Sequence, residues 1–103
     1  MRKICSSERE SIRSLGDTRA KKLKLRLVQL QAAENLAEMR LLPAARLHSL
    51  KGEMEGKFAV DLNHPFRLVF ESAHNPAPTL PDVSPDYRKI TKISILDIVD
   101  YHG

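Results

Sequence analysis

The sequence predicts an α+β domain, with two N-terminal helices packed on one face of a small twisted antiparallel sheet. Three observations carry this. Residues 17–33 repeat apolar side chains at helical spacing. From Arg46 onward the period changes to alternation. The segment from Ile90 to Val99 is the most apolar and most β-branched of the chain. A chain of 103 residues is the size of one domain, spanning 1–103.

Each element has a local cause. Ser6 or Ser7 can cap a short helix through Leu15, and Gly16 supplies a left-handed stop. Asp17 or Thr18 can cap a second helix to about Ala33, with Leu23, Leu27 and Leu30 at i, i+4 and i+7. Leu25 and Val28 are expected to widen that stripe, with Lys21, Lys22, Lys24 and Arg26 largely outside it. Glu34 to Leu42 still reads as helical turns, which Pro43 ends. Arg46 to Leu50 is a short candidate strand, and the polar run Lys51 to Gly56 a hairpin loop.

Alternation puts Phe58, Val60 and Leu62 on one face of the next strand. After the Asn63-His64-Pro65 turn, Phe66, Leu68 and Phe70 share a face and Arg67 points the other way. Residues 72–88 hold Pro76, Pro78, Pro81 and Pro85, which exclude a regular element. In the last strand Ile93 and Ile95 share one phase, Leu96 and Ile98 the other. Either both faces are covered or a bulge lies between them.

Composition removes several functions. The single Cys5 excludes an internal disulfide framework and a cysteine-rich zinc site. His48, His64, His74 and His102 have no metal-ligand spacing, and no Gly-rich phosphate loop or nucleophile elbow is present. His64 reads as structural and His74 as solvated. Aromatic residues are 5%, too few for a broad stacking platform. No apolar run approaches the ~20 residues of a membrane span, so a cytoplasmic protein is expected.

The net charge is +4, and its distribution is uneven. Residues 1–26 hold nine basic and three acidic residues; the remainder hold eight and ten. Arg19, Lys21, Lys22, Lys24 and Arg26 are therefore candidates for contact with a polyanion such as an RNA backbone. The same charge would suit an acidic protein partner, or a solvated helix face.

The stretch Leu42-Pro-Ala-Ala-Arg-Leu-His-Ser-Leu-Lys-Gly52 is followed by Gly56-Lys-Phe-Ala-Val60, Pro65-Phe-Arg-Leu-Val-Phe-Glu71 and Val99-Asp-Tyr-His102. In that order the chain resembles HigB-type toxins of the RelE/ParE superfamily, the plasmid maintenance killer proteins, over roughly residues 8–102. The resemblance implies a toxin that cuts messenger RNA on the ribosome and is neutralised by a helix-turn-helix antitoxin of the HigA type. It implies no cofactor, no membrane contact and no DNA contact by the toxin alone. Carried over by position, the family's catalytic set falls on His48, Lys51, Arg67, Asp100, Tyr101 and His102. Family members begin with a β-strand. Here only Met1 to Cys5 precede Ser6, and that first strand is expected to be missing.

The residue types fit the implied chemistry. RNA supplies its own nucleophile, the 2′-hydroxyl, so the reaction needs no metal. It needs a base, positive charge on the phosphorane, and an acid for the leaving oxygen. Arg67 and Lys51 are the candidate charges; a guanidinium can hold two phosphate oxygens at once. Arg67 can alternatively be an exposed strand residue paired with Asp61 or Glu71. His48 and His102 can move protons near neutral pH. Asp100 can orient a histidine or act as base. Tyr101 can stack on a nucleobase, or act in proton transfer if cations lower its pKa. A gyrase-inhibiting toxin of the ParE kind, or an inactive family member lacking its first strand, are the competing expectations.

Overall fold

The structure is a computed structural model that describes residues 3–6 and 17–100. The elements run β1 (Lys3–Ser6), α1 (Asp17–Ala32), α2 (Leu36–Met39), β2 (His48–Ser49), β3 (Lys57–Asp61), β4 (Phe66–Ser72) and β5 (Lys92–Asp100). Two 3-10 turns, Gly52–Met54 and Tyr87–Lys89, precede β3 and β5. The five strands form one sheet in the order β1-β5-β4-β3-β2. Strands β2 to β5 are antiparallel; β1 joins β5 in parallel, with Ile4 opposite Ile93.

The strand expected to be missing is therefore present. Lys-Ile-Cys-Ser is only four residues long, and its ladder partner lies almost ninety residues away. Ser6 belongs to this strand rather than to a helix cap. The rest of the expected first helix, with Gly16, lies outside the described residues.

Helix α1 follows the expected bounds, and the Ala33 amide still donates to the Gln29 carbonyl at 3.0 Å. Its buried stripe is Leu23, Arg26, Leu30 and Ala33, with Leu27 packed beside it. Leu25 and Val28 do not widen the stripe. At 100° per residue they point away from Leu30, and they are 43% and 57% exposed. Helix α2 is a single turn. The Asn35 side chain caps it by accepting the Glu38 amide, while Leu36 and Met39 reach the core.

The apolar sheet face is Phe58 and Val60 from β3, Leu68 and Phe70 from β4, and Ile93 and Ile95 from β5. Leu23, Leu30, Leu36 and Met39 pack on it. The two phases of β5 are reconciled by a bulge. Val69 pairs with Asp97 and Phe70 with Ile95, so Leu96 is the extra residue. A bulge shifts the phase by one, and Ile98 joins Ile93 and Ile95 on the helix side.

Strand β2 is shorter than Arg46–Leu50 because Arg46 adopts a left-handed φ of 49°. The proline-rich segment is irregular but tied down. Thr79 bridges Pro85, and Tyr87 meets the edge of Phe58 at 5.5 Å between centroids. His74 is not simply solvated: it is half-buried, and its Nε2 accepts the Thr91 amide at 3.0 Å.

Candidate functional site

Alternation sends every second residue of the sheet away from the helices. Cross-strand register then sets two rows on that face. One row runs His48, Ala59, Val69, Asp97; the next runs Asp61, Arg67, Val99. Ala59 and Val69 are small and buried. They form a floor between polar side chains contributed by four strands.

Around Arg67 these side chains make a connected set. Its Nε lies 3.2 Å from Asp61 Oδ1, the direct cross-strand neighbour. Its Nη1 lies 3.3 Å from His48 Nε2. Asp61 also faces Arg46, Nε to Oδ2 at 3.5 Å. Arg67 thus pairs with Asp61, one of its two expected partners, and also meets the histidine.

The histidine tautomer follows from its neighbours. Nδ1 sits 2.7 Å from the Arg46 carbonyl oxygen. A carbonyl can only accept, so Nδ1 carries the proton and Nε2 offers a lone pair to the Arg67 guanidinium. The left-handed turn at Arg46 comes just before β2 and supplies that carbonyl.

A buried arginine holds the frame from behind. Arg26 is 3% exposed. Its Nε donates to the Asp61 carbonyl at 2.6 Å, one Nη to the Ala44 carbonyl at 3.0 Å, the other to Gln29 Oε1 at 3.0 Å. Burial pulls its pKa down, and the negative charge of Asp61 partly restores it. One clasped carbonyl belongs to Asp61 itself and the other stands two residues before Arg46, and the Asp61 amide donates to the Ala45 carbonyl. Arg26 therefore leaves the set of candidate RNA contacts: its guanidinium is occupied inside the fold. It stands three residues after Leu23 and four before Leu30, within the helical stripe, and that spacing is the signal that places it inward.

The other candidates are more dispersed. Lys51 is exposed at the start of the Gly52–Met54 turn, about 10 Å along the chain from His48 at strand rise. It lines a separate groove of about 570 Å³ with Lys57 and the Pro78–Pro85 segment. Arg67, Arg46, Asp61, His64 and Phe66 border a smaller hollow of about 190 Å³. Asp100 is exposed at the end of β5. Its register partner is Phe66, so it falls in the helix-facing phase, one residue out of step with Arg67 and Val99. Tyr101 and His102 lie outside the described residues.

On α1, Lys21, Lys22 and Lys24 are exposed. Arg19 is half-buried, with its guanidinium carbon 3.4 Å from the Phe66 ring centroid. Among the described residues no group of three or more His, Cys, Asp or Glu is placed to hold a metal ion. None of their helices is long and apolar enough to cross a membrane.

Residues 6–80 match a family model described as RelE-like toxin of type II toxin-antitoxin system HigB. The matched stretch includes His48, Lys51 and Arg67 and ends before β5. None of the curated proteins matches the chain.

Proposed function

We propose that this chain, which belongs to the HigB-like family of RelE-like toxins of type II toxin–antitoxin systems, is an endoribonuclease that cuts messenger RNA on the ribosome. Its partner in the cell is an antitoxin, proposed to be of the helix-turn-helix HigA type. The observation that carries the reading is the contact of His48 Nε2 with Arg67, 3.3 Å apart on the sheet face opposite α1 and α2.

The reaction starts from the 2′-hydroxyl beside the scissile phosphate. As the phosphate draws Arg67 Nη1 away, His48 Nε2, its lone pair freed and its tautomer fixed by the bond from Nδ1 to the Arg46 carbonyl, takes the hydroxyl proton. The 2′-oxygen forms a bond to phosphorus, and the bond from phosphorus to the 5′-oxygen breaks. Arg67, braced by Asp61, neutralises the charge that builds on the non-bridging oxygens. Lys51 reaches the same chain of phosphates from the neighbouring groove. Within the terminal Asp100, Tyr101 and His102, an acid returns a proton to the leaving 5′-oxygen, and Tyr101 stacks on a base. The products are a 2′,3′-cyclic phosphate and a free 5′-hydroxyl. No step in this sequence calls on a metal or cofactor.

The test uses translating ribosomes carrying a message whose cleaved nucleotide is 2′-deoxy. Cutting should stop at that position and persist elsewhere. Arg67→Ala should slow cutting of the all-ribose message by ~10²–10³-fold, the usual cost of one donor to a developing oxyanion. Cutting that continues at the deoxy position removes the mechanism. Growth arrest that survives Arg67→Ala with no transcript cut removes the nuclease reading itself.

A further inference from the structure

Helix α1 is apolar on two opposite sides. One side, Leu23, Leu30 and Ala33, lies on the sheet. On the other side Leu25, Val28 and Ala32 follow at i, i+3 and i+7, with Lys21 one turn earlier. At 100° per residue this second stripe is centred opposite Leu30. Leu25, Val28 and Ala32 are all exposed, as is Lys21. Single exposed leucines need no explanation; a continuous apolar stripe does.

The charge around it has one sign. From Thr18 to Gln31 the helix has no acidic residue. Its basic residues divide by direction: Arg26 is buried and Arg19 lies against Phe66, while Lys21, Lys22 and Lys24 remain exposed. An RNA backbone would use the lysines and leave Leu25 and Val28 in water. A helix with an apolar seam and acidic flanks uses both.

We propose that the outer face of α1 is the docking surface for an amphipathic, acidic helix of the antitoxin. This rests on the toxin–antitoxin assignment and not on the nuclease chemistry. The helix layer covers one side of the sheet and the His48–Arg67 set lies on the other. The antitoxin helix thus grips the face remote from the candidate site, and binding and cutting separate by mutation.

The experiment titrates the cognate antitoxin, the protein whose co-expression relieves growth arrest, into the full-length toxin by calorimetry. Val28→Glu should weaken binding by ~10–100-fold and Leu25→Glu comparably, as for buried apolar anchors ringed by charge. Both should leave transcript cutting unchanged. Arg67→Ala should bind normally and fail to cut. Raising salt should weaken the wild-type complex, through the lysines. An unchanged dissociation constant for Val28→Glu and Leu25→Glu overturns the proposal. So does weakened ribosome binding without weakened antitoxin binding, which would make the face an RNA contact. A toxin dimer that Val28→Glu disrupts would make it a self-association surface. A lowered melting temperature of the variant alone would mean that the chain covers the stripe itself.

Discussion

Replacing Arg26 by alanine should destabilise the toxin more than any other single charge removal on α1. The guanidinium makes three hydrogen bonds at 2.6, 3.0 and 3.0 Å. Two of them end on main-chain carbonyls, those of Asp61 and Ala44. Such bonds from a charged donor contribute about 1.5–3 kcal/mol each, and a buried acceptor left unpaired costs about 1–3 kcal/mol. Removing the arginine also recovers the cost of burying its charge, so the bond energies do not simply add. Truncation of one buried charged partner typically loses about 3–5 kcal/mol, and that is the expected range here. For a domain of this size 1 kcal/mol moves the melting temperature by about 4–8 °C, so a fall of about 12 °C or more should follow. Urea unfolding of the full chain measures the same loss at fixed temperature. Lys22→Ala, on the exposed flank of the same helix, is the control and should stay within about 0.5 kcal/mol of wild type. Arg26→Lys keeps the charge but cannot reach both carbonyls, and should fall between the two. If Arg26→Ala unfolds like Lys22→Ala, the guanidinium is not clasped inside the protein and the frame behind Asp61 is wrong.

Two smaller effects centre on the hairpin at Leu80–Ser84. Val83 is β-branched, 82% exposed, and held at φ 62°; a left-handed side chain costs about 1–2 kcal/mol. Val83→Gly removes that cost and returns about 0.5–1 kcal/mol of it as chain entropy. A net gain of about 0.5–1 kcal/mol is expected in denaturant unfolding, and a loss would refute the conformation. Beside it, the Ser84 hydroxyl and amide both donate to Asp82 Oδ1 and hold its carboxyl below the ordinary aspartate range. A carboxyl depressed in the fold contributes fully above its unfolded pKa of about 3.9, and the contribution fades as pH falls through the lower folded value. An NMR titration should find the Asp82 midpoint low and Ser84→Ala should raise it; an unmoved midpoint would count against those bonds.

The parts of the fold with local causes were readable from residues alone. Helix α1 follows from its leucine spacing, and β3 and β4 from alternation around Phe58, Val60, Leu68 and Phe70. What was not readable depends on distant partners. Lys3–Ser6 carries too little pattern to declare itself a strand, because its pairing is set by β5. The two phases of β5 leave open a bulge or double coverage, and only the ladder with β4 selects Leu96 as the extra residue. The charge of Arg26 points to solvent, but its position in the stripe decides, and the side chain is buried. At the site, alternation already puts Arg67 away from the core. Its approach to His48 needs β3 between the two strands, and the brace from Asp61 needs the register. Lys51 shares the sequence neighbourhood of His48 but opens onto a different groove, since the chain turns at Gly52.

The place of β5 in the sheet orders events during synthesis. It lies between β1 and β4, yet it is the last of the described strands to be made. Until it emerges, β1 has no ladder to join and the apolar face of β4 lacks Ile93, Ile95 and Ile98 beside it. A nascent toxin therefore cannot close its sheet early: until Lys92–Asp100 has emerged, the strands already made are an open, incomplete layer.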